Sequence, residues 1–238
     1  METKAQELQA SGSSRPAAEN TRRNALLALL LLVPVPSLGI ACEMLWFPGT
    51  LGLSILGATK LWILGLPLFW TALVERRSIV IDRPTSRGLG IGWLTGIVGA
   101  IGVVVIFQLV LRQRIDPALV RGMASANHLL SPRAYGLVAV YTCVFNSLLE
   151  EYVWRWFVLG RFEELMPRRL AVIASAAAFT LHHTLILATQ FNLEIAVIGS
   201  IAVFAAGVTW SAIYSRTHSI WSAWLSHALI DLAVFWAG

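Results

Sequence analysis

Residues 88–111 read GLGIGWLTGIVGAIGVVVIFQLVL, a stretch without a charged side chain. A helix needs about 20 apolar residues to cross a bilayer, and helices are favoured there because they satisfy their own backbone hydrogen bonds. The stretch therefore predicts a transmembrane helix. Its small residues at this density predict close helix packing rather than chemistry. The glycines concerned are Gly88, Gly90, Gly92, Gly96, Gly99 and Gly102.

Six further apolar segments of similar length occupy most of the remaining chain: 25–42, 51–74, 134–158, 169–190, 194–214 and 219–237. Of the 238 residues, 57% are hydrophobic and only 13% are charged. This composition excludes a disordered chain and argues against an ordinary soluble enzyme. We predict an all-α polytopic membrane helix bundle with about seven transmembrane helices.

The first 23 residues are polar and are predicted to form a disordered tail. The apolar segment after them follows Arg22 and Arg23, as a signal peptide would. It lacks a clean small-residue cleavage site near Cys42, however, so we favour a helix that is retained.

The charge distribution indicates a membrane partner and an orientation. A net charge of +5 would point to nucleic acid in a soluble protein. Here the charges lie between apolar runs, so the lipid bilayer is the expected partner and nucleic acid is not. Twelve Lys and Arg residues flank one side of the predicted bundle and four flank the other. The positive-inside rule then places the N-terminus in the cytoplasm.

Ionisable residues inside three of the apolar segments are the functional signal. Each costs about 2.5–3.5 kcal/mol at the centre of a membrane helix. They are Glu150, Glu151 and Arg155 in the fourth segment, His182 and His183 in the fifth, and His227 and Asp231 in the seventh. Structural pairing explains one acid and one base but not this number, so the set indicates a reaction centre.

The spacing within these segments suggests different tasks. Glu151 precedes Arg155 by four residues, the favourable order for an ion pair on one helical face. Glu150 lies about 100° around the same helix and is free to point elsewhere. His227 and Asp231 are also four apart and share a face. A carboxylate beside imidazoles can share a water, polarise a carbonyl or bind a metal. The chain has neither a GxSxG nor an HExxH motif, so water is the favoured nucleophile.

Three short motifs together resemble the CPBP family of intramembrane proteases, which includes CaaX prenyl proteases of the Rce1 type and bacterial bacteriocin-processing or Abi proteins. Glu150-Glu151-Tyr-Val-Trp-Arg155 resembles its EExxxR motif. The stretch from Phe179 to His183 resembles FxxxH, and the stretch from His227 to Asp231 resembles Hxxx(N/D). The resemblance covers 134–238. We therefore predict a tail (1–23), N-terminal transmembrane helices and loops (24–133) and a CPBP-like catalytic core (134–238).

The resemblance implies an intramembrane endopeptidase acting on membrane-anchored substrates, either lipidated CaaX-type proteins or C-terminal sorting tails. It implies the following roles: Glu150 activates water with His183; Glu151, Arg155 and His182 support the site; and His227 and Asp231 stabilise the oxyanion or position the carbonyl. It also implies an integral membrane location, with the bacterial inner membrane favoured over the endoplasmic reticulum of a eukaryote.

Alternatives remain at three points. Many members of the family have Asn where this chain has Asp231, and an aspartate donates a hydrogen bond only when protonated. Asp231 alternatively orients His227 or binds a metal. No cofactor is required in the favoured mechanism; the alternative is a catalytic zinc, with ligands among Glu150, His183, His227 and Asp231. The alternative function is a non-proteolytic Abi-type role in bacteriocin immunity or as a scaffold. A secondary transporter is disfavoured because no internal repeat is visible.

Overall fold

The computed structural model describes residues 19–237, and every regular element in that range is a helix. The helices are α1 (Glu19–Trp46), α2 (Thr50–Val74), α3 (Ser86–Leu111), a short α4 (Pro117–Ala126), α5 (132–165), α6 (Arg168–Gln190), α7 (Leu193–Thr217) and α8 (Ile220–Ala237). All except α4 and α5 are long and apolar enough to span a membrane, which makes six within the described residues. The prediction of an all-α polytopic membrane bundle is confirmed.

Helix α5 corresponds to the fourth predicted segment and is irregular. It runs without a break from Pro132–Val140 through Tyr141–Asn146, Ser147–Glu151 and Tyr152–Leu159 to Gly160–Leu165. The second and fourth of these stretches are π-helical. Wide π-helical turns are rare and occur frequently at functional sites. In α5 they flank the short α-helical stretch that carries Glu150 and Glu151.

Two local features differ from the sequence predictions. Residues 1–18 of the predicted tail lie outside the described range, whereas 19–23 are helical and begin α1. The connection between the third and fourth predicted segments contains α4, which had been expected to be loop. Its start is explained locally, because the Asp116 side chain accepts a hydrogen bond from the backbone N–H of Ala118 and Pro117 occupies the first turn.

The glycine-rich helix α3 packs tightly against α8. A methyl group added at Gly92 would overlap the backbone carbonyl oxygen of Ser222, and one added at Gly96 would lie 2.7 Å from Cδ1 of Leu229. Such proximity is possible only without a Cβ atom. The close packing predicted for this stripe is therefore present, and it fixes the position of the helix that carries His227.

Only the glycines on one face of α3 contact α8. Gly90 and Gly102 face open space, with no atom within 4 Å of an added Cβ. The glycines that face α8 are Gly88, Gly92, Gly96 and Gly99. Their three- and four-residue intervals place them on one side of α3.

Hydrogen bonds from two helices meet at the residue before His227. The hydroxyl of Thr95 on α3 lies 3.1 Å from Ser226 Oγ, and the indole N–H of Trp210 on α7 donates to the same oxygen at 3.2 Å. Because Ser226 is fully buried, these contacts restrict the rotation of α8.

Helix α2 is held beside α5 by contacts at two levels. The Tyr152 hydroxyl donates to the carbonyl oxygen of Leu64 at 3.0 Å. Near the helix ends, Arg161 forms an ion pair with Glu75. Helix α1 completes this side of the bundle through the buried Ala28 and its neighbours in the core. The N-terminal helices therefore pack directly against the predicted catalytic core.

Replacing Gly92 by alanine is expected to destabilise the bundle by about 1–3 kcal/mol, the usual cost of overpacking. The methyl group would meet a backbone oxygen, which cannot rotate away. Gly90→Ala is the matched control, since its methyl group enters open space and alanine favours the helix by about 1 kcal/mol. Thermal unfolding in detergent measures both variants. Equal melting temperatures would contradict the close α3–α8 packing.

Candidate active site

A cavity of about 290 Å³ lies between α1, α2, α5 and α6. Most of its lining is apolar, and its polar lining residues are Thr59, Lys60, Asn146, Glu150, His182 and His183. A mainly apolar cavity with a few convergent polar groups is the usual form of a small-molecule or catalytic site. The structure thus brings Glu150, His182 and His183 together, although they lie on two different helices.

Glu150 is held at the wall of this cavity by its own helix and faces a third histidine. Its Oε1 accepts a hydrogen bond from Nδ2 of Asn146 at 2.9 Å. Its Oε2 lies 3.7 Å from Nε2 of His227 on α8. That distance is too long for a hydrogen bond. One oxygen of Glu150 is therefore fixed by α5, while the other is oriented towards α8.

The two adjacent histidines of α6 both belong to the cavity. One potential ligand atom each from Glu150, His182 and His183 lies within 4.8 Å of the others. Nδ1 of His183 lies 3.1 Å from the carbonyl oxygen of Phe179. A carbonyl only accepts, so Nδ1 carries the proton and Nε2 of the neutral ring is an acceptor. His182 stacks on Trp154, with ring centroids 5.5 Å apart.

His227 is oriented by Glu151 and by an aromatic ring. Its Nδ1 lies 2.8 Å from Oε1 of Glu151, which must act as the acceptor as long as it is ionised. The imidazole stacks on Trp210 at 3.8 Å between centroids, with an angle of 17° between the planes. These contacts direct Nε2 towards Glu150.

Arg155 balances the buried charge of Glu151. Its Nε lies 3.3 Å from Oε2 of Glu151, and both side chains are 0% exposed. The guanidinium also lies over Phe179 and Trp210, 4.6 and 5.1 Å from the ring centroids. Aromatic faces attract a cation in this position. The ion pair predicted from the four-residue spacing is present.

Asp231 lies further from His227 than Glu151 does. Its Oδ1 is 3.6 Å from Nε2 of His227, which is an electrostatic contact but not a hydrogen bond. His227 is therefore oriented by the hydrogen bond that it donates to Glu151, and not by Asp231. The predicted roles of Asp231 in oxyanion stabilisation or metal binding stay predictions.

The potential metal ligands differ from the predicted set. Within residues 19–237, the grouped side chains are Glu150, His182 and His183, whereas His227 and Asp231 are not part of the group. Two imidazoles and a carboxylate suit a catalytic zinc with an open position. The contact between His183 and a backbone carbonyl is also typical of metal-binding histidines. The chemistry of this donor set therefore fits zinc, and the ligand set that the sequence suggested stays a prediction.

Sequence reasoning missed two cavity residues. Lys60 lies inside the predicted segment 51–74, and a charge about 15 Å along a membrane helix is itself a functional signal. Asn146 is uncharged and carries no comparable signal. Both line the cavity beside Glu150.

One of the comparisons with known proteins found a match. The family model described as Type II CAAX prenyl endopeptidase Rce1-like matches residues 132–233. This part of the chain is therefore similar to Rce1-like proteases. The match begins at the start of α5 and ends within α8, so the Rce1-like region includes all seven predicted site residues and excludes α1 to α4. No curated protein and no solved structure matches the chain.

The match to the Rce1-like family model confirms the resemblance to CPBP proteases and points to a protease. Together with the six helices that can span a membrane, it indicates an integral membrane protein. The Rce1-like region does not form the cavity alone, because α1 and α2 contribute Pro36, Ile40, Leu56 and Lys60 to its lining.

Removing Arg155 alone is expected to destabilise the protein by about 3–5 kcal/mol, because Arg155→Met leaves the Glu151 carboxylate buried without its ion-pair partner. The double variant Glu151→Gln with Arg155→Met is expected to be more stable than Arg155→Met, since it removes both charges. The free energy of unfolding in detergent is measured for the wild type, Arg155→Met and the double variant. The exposed Arg112→Met serves as control, with an expected change within about 0.5 kcal/mol. An Arg155→Met protein as stable as this control would contradict the role of the ion pair.

Proposed function

We propose that the protein is an intramembrane endopeptidase in which Glu150 activates water for peptide-bond hydrolysis. The observation that carries this proposal is the position of Glu150 in a mainly apolar cavity, grouped with His182 and His183 and 3.7 Å from His227. Proton transfer explains the presence of a carboxylate and three imidazoles in one membrane bundle better than structural pairing does.

Water activation requires two acceptors that one water can reach. Two hydrogen bonds of about 2.8 Å span up to roughly 5.6 Å, and the Glu150 and His183 atoms lie within 4.8 Å. Glu150 removes one proton as the water oxygen attacks the scissile carbonyl carbon. The free nitrogen of His183 accepts a hydrogen bond from the other O–H of the water and so orients it. When the tetrahedral intermediate collapses and the peptide C–N bond breaks, Glu150 gives its proton to the leaving amine nitrogen, so that the carboxylate is regenerated.

His227 is proposed to stabilise the negative charge that develops on the carbonyl oxygen. Its Nδ1 is occupied by Glu151, so Nε2 is the nitrogen available to the substrate. When the ring is protonated, Nε2–H donates to the oxyanion. The charge of that ring is balanced by Glu150, Glu151 and Asp231, whose oxygens lie 2.8–3.7 Å from its nitrogens. Asp231 is proposed to act here through its charge and, when protonated, as a second donor.

The substrates are proposed to be membrane-anchored peptides or proteins, either lipidated CaaX-type chains or C-terminal sorting tails. The apolar lining of the cavity and its position among membrane helices support substrates that arrive from the bilayer. The N-terminus is proposed to lie in the cytoplasm, because the basic residues lie mostly on that side of the bundle. The bacterial inner membrane is the proposed location, as the resemblance to bacterial members of the family favours.

A metalloendopeptidase is the second candidate, favoured by the grouping of Glu150, His182 and His183. These three residues would hold a zinc ion, and the chemistry it would supply is the activation of water at neutral pH. We favour the metal-free mechanism because Glu150 and His183 already provide the two acceptors that a water requires.

Glu150→Gln is expected to reduce cleavage by about 10²–10⁴-fold, the usual contribution of a general base. Glutamine keeps the shape and can still accept from Asn146, but it cannot take a proton. The assay uses fluorogenic membrane peptides, both prenylated CaaX-type peptides and sorting tails, with purified protein in detergent. Glu194→Gln on the exposed start of α7 is the control. Cleavage by Glu150→Gln at the wild-type rate would exclude the proposed base. If the folded wild type cleaves none of these peptides, the non-proteolytic Abi-type role gains support.

Chelation separates the two mechanisms. Metal-free water activation predicts that cleavage persists in 1,10-phenanthroline and that active protein contains well below one zinc per chain. The zinc mechanism predicts loss of cleavage, recovery on adding zinc, and a lower zinc content in His182→Ala than in the loop variant His128→Ala. Metal analysis of the purified protein and the peptide assay together decide between them.

A further inference from the structure

A continuous chain of side chains connects a lysine within the membrane region to Glu150. The ammonium of Lys60 on α2 donates to Oδ1 of Asn146 at 3.0 Å. Nδ2 of the same amide donates to Oε1 of Glu150 at 2.9 Å. An ammonium can only donate and a carboxylate can only accept, so the two contacts define the orientation of the Asn146 amide between them.

The position of Lys60 requires an explanation. It lies ten residues after Thr50, which places it about 15 Å along a helix of membrane-spanning length. Charged side chains at this depth are rare and usually mark a functional site or a paired partner. In the part of the chain that the structure describes, Lys60 forms no ion pair with a carboxylate within 4.0 Å. Its hydrogen bond to Asn146 directs the charge towards Glu150.

The other permanent cation near Glu150 already has a partner, and the remaining titratable groups around it are histidines and an acid. Arg155 on the same helix is paired with Glu151. Helix α6 contributes His182 and His183, α8 contributes His227 and Asp231, and the α1 residues in the cavity wall, Pro36 and Ile40, are apolar. Lys60 is therefore the permanent positive charge near Glu150 that is not held by a direct carboxylate contact among residues 19–237.

We propose that Lys60 and Asn146 are positioning residues for Glu150. The amide of Asn146 holds Oε1, so that Oε2 remains oriented towards His227, and the ammonium of Lys60 stabilises the negative charge of the carboxylate through the amide. This inference rests on the proposed function, in which Glu150 is the base. It also gives α2, which lies outside the Rce1-like region, a part in positioning the base.

The test compares kcat, KM and the pH dependence of cleavage for full-length variants in detergent. Lys60→Met removes the ammonium, Asn146→Leu removes the amide, and Lys60→Arg keeps the positive charge. Leu61→Met is the matched control, because Leu61 is adjacent on α2 and is 72% exposed. Melting temperatures are measured for every variant, and those of Lys60→Met and Leu61→Met are expected to be similar.

Lys60→Met and Asn146→Leu are each expected to lower kcat by about 10- to 100-fold, a fraction of the usual contribution of a general base. KM is expected to change little. The pH profile of kcat is expected to differ from that of Leu61→Met, because Glu150 loses the contacts that hold it. Lys60→Arg should retain most of the activity. The double variant Lys60→Met with Asn146→Leu should have a kcat no lower than that of Asn146→Leu alone, because both residues act on Glu150 through the same amide.

Two results would overturn the inference while leaving the proposed function intact. The first is an inactive Glu150→Gln together with a Lys60→Met protein that keeps the wild-type kcat and pH profile. The second is a Lys60→Met protein with a raised KM only for peptides ending in a free carboxylate and not for their amides, which would make Lys60 a substrate-binding residue. If Lys60→Met fails to fold, an unchanged kcat and pH profile in Asn146→Leu overturns the inference. Wild-type cleavage by Glu150→Gln would instead exclude the proposed function itself.

Discussion

The arrangement of the site depends on the contacts of the buried Glu151 carboxylate. It pairs with Arg155 on its own helix and accepts a hydrogen bond from His227 on α8. Arg155 in turn lies over the rings of Phe179 on α6 and Trp210 on α7. A buried charge without a partner is strongly unfavourable, so these helices are stable only in an arrangement that keeps the contacts together. That arrangement leaves the neighbouring Glu150 facing the cavity.

The position of α8 also depends on residues that carry no chemistry. Glycines on one face of α3 allow the two backbones to approach, and Thr95 contacts the Ser226 hydroxyl immediately before His227. The requirement is geometric, because His227 must reach Glu151 and Glu150 together. The glycine-rich segment thus contributes to the site indirectly, by determining where a histidine of another helix lies.

The cavity combines parts of the chain with different relationships to known proteins. Its histidines and Glu150 come from the Rce1-like region, whereas Lys60 and much of the apolar wall come from α1 and α2. Hydrolysis in a membrane requires a polar centre that water can occupy inside an apolar surrounding. The Rce1-like helices provide most of the polar groups, and the N-terminal helices provide half of the apolar lining residues together with one positive charge. The division at residue 133 that the sequence suggested is therefore not a boundary of the cavity.

The sequence by itself determined the fold class, six of the seven predicted membrane-spanning segments and the polar residues of the Rce1-like motifs. These depend on local properties, namely the length of apolar runs and the spacing of side chains along one helix. The ion pair between Glu151 and Arg155 was predictable for the same reason. Glu151 and His227, by contrast, lie 76 residues apart, and their contact depends on the depth and rotation of two packed helices.

Only the tertiary structure decided which groups face each other in the site. It placed His182 in the cavity beside His183, assigned the orientation of His227 to Glu151 rather than Asp231, and brought Lys60 to Asn146. It also distinguished the glycines that contact α8 from Gly90 and Gly102. The physical reason is that periodicity determines which residues share a helical face, whereas the packing of neighbouring helices determines what that face meets.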